Sequence, residues 1–348
     1  MRQLSVRLAV ALLVLIHAIV LLAGFFAPYG YAEQNRDFPY APPCRMHFAV
    51  SNGRPQVFFY PWRFTPAGDY QEDRSMAVPI HFFTRGNRYP VLGDLFRDWT
   101  SDLHFFGTGR DREIFLLGSD GFGRDQFSRL LFGGRISLLT GLLAACLSLS
   151  VGTLMGAIAG LGGWIDEVVM RAAEISLAVP VLYLLFAARA LLPLKTGPEQ
   201  VFLVLITIIG ITGWARPARL IRGVVLSVKE RDFVAAARGF GATNVYLFRR
   251  HILPNVSDVV LTQFAVLIPQ YILAEVTLSF VGLGVNEPTA SWGNMLAPLQ
   301  QYAVLESCPW MFAPAFAAIP VALTYYVIFL AYGGERASGA TLGRRLRS

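Results

Sequence analysis

What this chain has little of is charge. Asp, Glu, Lys and Arg make up 15% of its 348 residues, against about 25% in soluble globular domains. That disfavours a soluble enzyme. With 54% hydrophobic and 13% aromatic residues, the chain is also too apolar for disorder. Lysine is nearly absent. Lys195 and Lys229 are the two, preceded by Leu194 and Val228. A P-loop needs G-x-x-x-x-G-K-[ST] to cradle phosphates, so the chain is not its own ATPase by that chemistry. The three cysteines, Cys44, Cys146 and Cys308, are too few and too scattered for a disulfide framework or a zinc site. The 32 Gly and 20 Pro show no collagen-like period. His and Glu lack metal-ligand spacing, and no Ser–His–Asp arrangement is readable. No catalytic, cofactor-binding or metal-binding residue is assigned, and an all-α polytopic membrane protein is expected.

A helix crossing ~30 Å of hydrocarbon needs about 20 mostly apolar residues. Six segments qualify: Val6 to Phe26, Ile136 to Ile165, Val168 to Leu194, Gln200 to Ala215, Val259 to Val285 and Ser307 to Gly334. The third is interrupted by Arg171, Glu174 and Arg189. The fourth is short and extends to Ile221 if Arg216 and Arg219 snorkel. The first reads as an uncleaved anchor (residues 1–27), because its apolar run exceeds a signal-peptide core and no A-x-A-like site follows.

Basic residues in short loops set orientation. Between the fourth and fifth spans lie Arg216, Arg219, Arg222, Lys229, Arg231, Arg238, Arg249 and Arg250, against Glu230 and Asp232. The tail from Glu335 adds four arginines. Residues 28–134 balance twelve arginines with twelve acids. Both termini and the basic loop are therefore expected in the cytosol, with residues 28–134 exported. The short loop at Asp166 and Glu167 falls on the cytosolic side although it is locally acidic.

Residues 28–134 are expected to form a small β-rich insertion after the first helix. Met46 to Val50, Gln56 to Phe64 and Val78 to Thr84 are aromatic, β-rich runs separated by turn residues. The lobe serves either as a lid over the outer mouth or as a docking surface for an external solute carrier, with Tyr60, Trp62 and Arg63 as interface types. At its end a Gly/Asp cluster leads into Gln126 to Phe132, which predicts an amphipathic interfacial helix. Arg124 and Asp125 there are either binding residues or structural ones.

The stretch from Lys229 to Asn255 carries the functional argument. Val234 to Arg238 favours helix, and Gly239 and Gly241 can end it. Thr243 can cap a second short helix that Pro254 closes. Ala235, Ala236 and Ala237 give a helical surface without bulk, onto which another protein can pack. The plainer reading is a positive-inside loop that happens to be helical.

Ala235-Ala236-Ala237 with Gly241, then Ile252-Leu253-Pro254, resembles the EAA motif of ABC transporter permease subunits. The flanking motifs narrow the resemblance to the C-type inner-membrane permease of dipeptide/oligopeptide importers. They are Leu117-Gly118-Ser119-Asp120 with Gly123-Arg124-Asp125 and Ser128-Arg129-Leu130, and Leu278 to Val285 with Ser291-Trp292-Gly293-Asn294. They cover roughly residues 115–310. The resemblance implies a six-helix permease fold with a core at 135–334 and a coupling loop at 222–256; the exported lobe and the basic tail at 335–348, placed in the cytosol by its charge, fit the family pattern poorly. In that loop a coupling helix would dock an ATP-binding subunit through Ala235, Ala236, Ala237, Arg238, Gly241 and Pro254. The family's glutamate falls at Ala235, so its charge contact is missing. The implied partners are a homologous second permease subunit, two cytosolic ATP-binding subunits, an extracytoplasmic solute-binding protein and membrane lipid, with no cofactor and no nucleic acid. The expected location is the bacterial inner membrane, and the expected cargo is dipeptides or oligopeptides.

Glu275 is the one acid well inside a long span, and a buried carboxylate there is a functional candidate. It either faces the translocation path or braces helix packing. The rival readings are a secondary transporter, or a permease for another solute such as nickel chelates. The first would need internal repeats and intramembrane ion ligands, and no convincing repeat is visible.

Overall fold

Apolar runs long enough to satisfy every backbone group internally fold here as helices, the form hydrocarbon permits. A computed structural model of the chain describes residues 2–51, 54–66, 68–91, 99–108, 113–193 and 196–345. Among them, five helices are long and apolar enough to cross a membrane, and a bent pair makes a sixth.

The chain forms two compact units. One comprises residues 1–13, 139–275 and 321–348, the other 14–138 and 276–320. The long helices α1 (Arg2–Leu21), α3 (Gln126–Ala159), α10 (Leu253–Phe280) and α12 (Ala313–Arg345) run through these boundaries. The fold is that of a polytopic helical protein carrying small sheets.

In the second unit, α1 is followed by a short α2 (Ala23–Phe26) and then by three antiparallel sheets. Strands β1 (Met46–Ser51), β2 (Arg54–Phe59) and β5 (Val78–Pro79) form one; β3 (Trp62–Phe64) and β4 (Tyr70–Glu72) pair as a second. Strands β6 (His81–Pro90) and β7 (Thr100–Gly107) make the third, with a register shift between Arg85 and Tyr89. The expected run from Gln56 to Phe64 is split at Tyr60-Pro61, where proline cannot donate to a ladder. Phe59, Ile80, Phe106, Ile114 and Phe115 build the lobe's core. Cys44 sits in that core and Cys308 in another apolar cluster; both are free thiols. Burial pushes the Cys44 thiol up to about 12.

Gln126 to Phe132, expected as a separate interfacial helix, forms the first turns of the 34-residue α3. Nothing in that stretch breaks the helical ladder, and Asp125 caps its start. The third expected span is instead two helices, α4 (Trp164–Ala178) and α5 (Val181–Leu191), bent by 77°. Pro180 causes the break, since it holds Val179 extended (ψ 121) and removes a donor. The fourth extends beyond its expected end. Helices α6 (Pro198–Thr212) and α7 (Ala215–Lys229) make one apolar stretch from Pro198 to Lys229. Arg216, Arg219 and Arg222 are therefore helical residues, not loop residues. The fifth ends at Phe280 rather than Val285, because Gly282 (φ 81) takes the left-handed cap, with Leu283 N–H donating to Leu278 O at 3.0 Å. The tail expected from residue 335 continues helical to Arg345; residues 346–348 lie outside the described residues.

Close packing in the first unit follows from a glycine stripe along α3 and just past its end. At Gly156 a Cβ would lie 2.5 Å from Ala218 O, and at Gly160 it would lie 2.5 Å from Val225 Cβ. Gly152, one turn earlier, meets Pro217 the same way. This four-residue spacing of small residues lets α7 lie directly on α3, the usual device for helix association in lipid.

Candidate functional site

The candidate docking loop is built from its buried side outward. Helix α7 buries Ile221, Val225 and Val228, and these form a cluster with Val234, Leu247, Ile252 and Val256. Val234 belongs to α8 (Asp232–Gly239) and Leu247 to α9 (Asn244–Leu247), so each short helix is pinned by one apolar side chain. Between them Gly241 adopts φ 82 with open space around it, and Ala242 N–H returns to Ala237 O at 3.0 Å. Glycine ends α8 here as its sequence position predicts. The Thr243 hydroxyl caps α9, accepting from Tyr246 N–H at 3.3 Å.

The opposite side of the loop faces outward. Ala235 and Ala236 are exposed and Ala237 is half-buried. Phe240 is 93% exposed, and Phe233 and Tyr246 are also exposed. Thr243, Tyr246, Arg249 and Arg250 line a shallow concavity beside them. The Arg238 side chain lies outside the described residues.

Pro254 does not close a second short helix. It occupies the second position of α10, directly after a π-helical turn at Phe248–Ile252. A proline in a first helical turn leaves no donor wanting, and the wider π turn absorbs the change of hydrogen-bond register.

Two polar ties that the sequence pattern did not suggest hold the loop's base. Arg222 clamps Asp166 with two donors, Nη2 at 2.6 Å from Oδ2 and Nε on Oδ1. Asp166 stands in the first turn of α4, where the helix dipole also favours an anion. The acidic patch that looked misplaced is thus half of an ion pair. Lys229 donates through Nζ to Gly160 O and Leu161 O at 3.0 and 2.9 Å, covering free carbonyls after α3. The signal for the glycine stripe was readable as Gly152, Gly156 and Gly160; that for the Arg222–Asp166 pair was not, since 56 residues separate them.

In the second unit, the motif before α3 and the motif after α10 come together. The Asp120 carboxylate accepts from Phe122 and Arg124 N–H at 2.9 and 3.0 Å and from Arg124 Nε at 2.7 Å. Arg124 and Arg129 both donate to Glu287, Arg129 Nη2 at 2.9 Å. Burial works against the Arg124 charge, but the hydrogen bonds to Glu287 and Asp120 outweigh it and raise its pKa. Trp292 adds two bonds: its N–H donates to Ser137 Oγ at 3.1 Å and its indole to Leu130 O at 3.0 Å. Ser291 and Asn294 form a capping box for α11 (Trp292–Leu296). Arg124 and Asp125 are accordingly structural residues: Asp125 accepts from Ser128 N–H at 2.8 Å and Ser128 Oγ at 2.6 Å. Glu275 is fully buried within α10.

Residues 152–334 match the family model described as binding-protein-dependent transport system inner membrane component. A protein of Brucella ovis whose name describes it as a peptide permease is 41% identical over 196 residues, covering 56% of this chain and 63% of that protein. The oligopeptide transport system permease protein of Bacillus subtilis is 39% identical, covering 57% and 63%. Its dipeptide transport system counterpart from the same organism is 36% identical, covering 60% and 63%. The chain thus matches a little under two thirds of each relative's length. The family match spans just over half of the chain and includes the loop between α7 and α10, so this chain belongs to the family of binding-protein-dependent transport system inner membrane components.

Proposed function

We propose that this chain is one permease subunit of an ATP-driven importer of dipeptides or oligopeptides. It pairs with a homologous second permease, two cytosolic ATP-binding subunits and an extracytoplasmic solute-binding protein. The relatives named for peptide, oligopeptide and dipeptide transport support the cargo class. It spans the inner membrane with both termini and the α7–α10 loop in the cytosol, residues 28–134 on the outer side, and its core over 135–334. The chain itself is non-catalytic.

The observation that carries this reading is the one-sidedness of the loop. Val234 and Leu247 are locked into the apolar cluster with α7 and α10, while Ala235, Ala236 and Phe240 face outward. A small-residue helix face flanked by an exposed phenylalanine fits a groove on a partner, and the rigid base transmits the partner's motion to the spans. Ala235, Ala236, Ala237, Arg238 and Gly241 form the docking element, with Pro254 starting the helix that takes up the motion. The asymmetric pinning also argues against an ordinary solvated loop, which would need no buried anchors on both arms. Glu275 lies along the translocation path as its candidate acidic group.

The test is site-specific crosslinking from Ala236→Cys in the assembled complex. Capture of an ATP-hydrolysing subunit is expected. A crosslink only to lipid or to the second permease, or labelling of this position from outside the cell, overturns the assignment.

A further inference from the structure

Two consecutive phenylalanines in β6, Phe82 and Phe83, break the alternation that a strand imposes on its side chains. Both rings pack on Phe105 of β7, at centroid distances of 5.7 and 5.6 Å. The backbone permits this because Phe83 takes φ 55, a conformation that a bulky residue adopts only where the surroundings hold it. The cost brings only partial burial: Phe82 and Phe83 remain 54% and 62% exposed. A strained backbone that presents two large apolar rings outward marks a surface kept for a partner.

The neighbours of this surface identify the partner. Phe25 lies 6.3 Å from Phe83 and 5.9 Å from Phe105, and Phe26 lies 5.7 Å from Phe105. Phe25 and Phe26 belong to α2, directly after α1. The apolar stretch Leu4–Leu21 has 18 residues, which at 1.5 Å per residue spans about 27 Å. That nearly fills the ~30 Å hydrocarbon core, so α2 stands at the level of the headgroups.

Three ties fix the hairpin at this level. The Tyr89 ring lies so close on Gly24 that a Cβ there would sit 2.1 Å from it. His104 Nδ1 bonds Ala27 O at 2.7 Å. Arg135 donates to Val20 O at 3.0 Å, Leu21 O at 2.7 Å and Val91 O at 3.0 Å, joining the end of α1 to the end of the hairpin. Trp99, 62% exposed, is hydrogen-bonded to Val91 through its carbonyl, and Leu21 and Leu22 continue the exposed apolar surface along α1. Arg88 on β6 is exposed, as is Arg85, whose guanidinium lies 3.9 Å from Asp102 of β7; an exposed arginine there suits the phosphates of a bilayer surface. Aromatic rings at the end of a spanning helix are what the lipid–water boundary selects.

We propose that the β6–β7 hairpin is a lipid-contacting element that seats Phe82, Phe83 and Trp99 in the headgroup region beside α1. The residue-28-to-134 lobe is thereby held flat against the bilayer by its own aromatic edge. The proposal needs α1 to be embedded but does not depend on cargo or on ATPase docking.

The full-length chain in nanodiscs of phosphatidylethanolamine and phosphatidylglycerol provides the test. Nitroxide labels are placed at Phe82→Cys and, as a control on another sheet, at Phe48→Cys, in a Cys146→Ser background. At position 82, collision with oxygen is expected to exceed collision with a water-soluble nickel chelate several-fold, and at position 48 the reverse. Equal, water-like accessibility at both positions overturns the proposal, as does protection of position 82 from both reagents, which would mean a protein cover. In the unmodified chain, a photoactivatable phospholipid with its reactive group at headgroup depth should label the peptide carrying Phe82 and Phe83. Labelling of α1 without that peptide overturns the proposal and leaves the membrane topology intact.

Discussion

Arg129, 1% exposed in its side chain, donates to Glu287 Oε1 at 2.9 Å across 158 residues of sequence, and Arg124 shares the same carboxylate. Glu287, on the segment after α10, and Asp120 together face the buried guanidiniums of Arg124 and Arg129 around the start of α3. Glu287→Gln keeps the shape and removes the charge. Breaking a fully buried pair costs ~3–5 kcal/mol, and the partial exposure of Glu287 lowers that to about 2 kcal/mol. A fall in the unfolding temperature of the purified chain is expected, with exposed Glu306→Gln unchanged as the control.

The α3–α7 contact makes a sharper prediction. A methyl at Gly156 would lie 2.5 Å from Ala218 O, a backbone atom that cannot rotate away. Gly156→Ala should force the helices apart at a cost of ~1–3 kcal/mol, the range for overpacking. Gly223→Ala is the control, since no heavy atom lies within 4 Å of its added Cβ. Thermal unfolding in detergent separates the two.

The Arg222–Asp166 clamp ties the base of the α7–α10 loop to α4. Asp166→Ala should loosen that base and cost about 1 kcal/mol, because both side chains are partly exposed. The swapped pair Asp166→Arg with Arg222→Asp should recover part of the loss. Proteolysis of the loop in the isolated chain reads this without needing transport. An additive double variant would show that the pair contributes nothing.

Asp125 supplies a pH signature. Burial pushes its carboxyl from 3.8 up to about 7, against the hydrogen bonds from Ser128; the Asp120 charge adds to the rise, and Tyr29 lies near enough to feel its charge. One carboxyl oxygen, Oδ1, has no donor among the described residues. The raised value means the folded state holds the proton longer than the unfolded one. Its contribution to stability is therefore complete below about pH 4 and lost as pH rises through about 7. Asp125→Asn should flatten this part of the stability profile, measured as unfolding temperature between pH 4 and 8.

The helix ends of the loop between α7 and α10 were legible residue by residue. Gly239 and Gly241 ended α8, and Thr243 capped α9, because caps are local devices governed by one or two dihedrals. Pro254 was misread for the same reason. A proline marks a helix boundary from either side, and only the following run to Phe280 shows which side it marks. The bend of the third span at Pro180 was not foreseen, because hydropathy continues across a break that backbone geometry imposes. The strand pattern of the β-rich lobe was visible in its aromatic runs, but the use of Phe82 and Phe83 was not, since a left-handed phenylalanine has no sequence signature.

Composition, hydrophobic run length and the loop motif determined that this is a multi-span helical membrane protein with an alanine-faced loop between its fourth and fifth spans. These properties sum over near neighbours, so the order of residues suffices. Tertiary structure alone decided that Asp166 answers Arg222, that Glu287 holds Arg124 and Arg129, and that Phe83 and Phe105 pack on Phe25 of α2. Each of these depends on atoms brought within a few ångströms across long stretches of chain, and charge or packing at that range is fixed by the fold and not by sequence spacing.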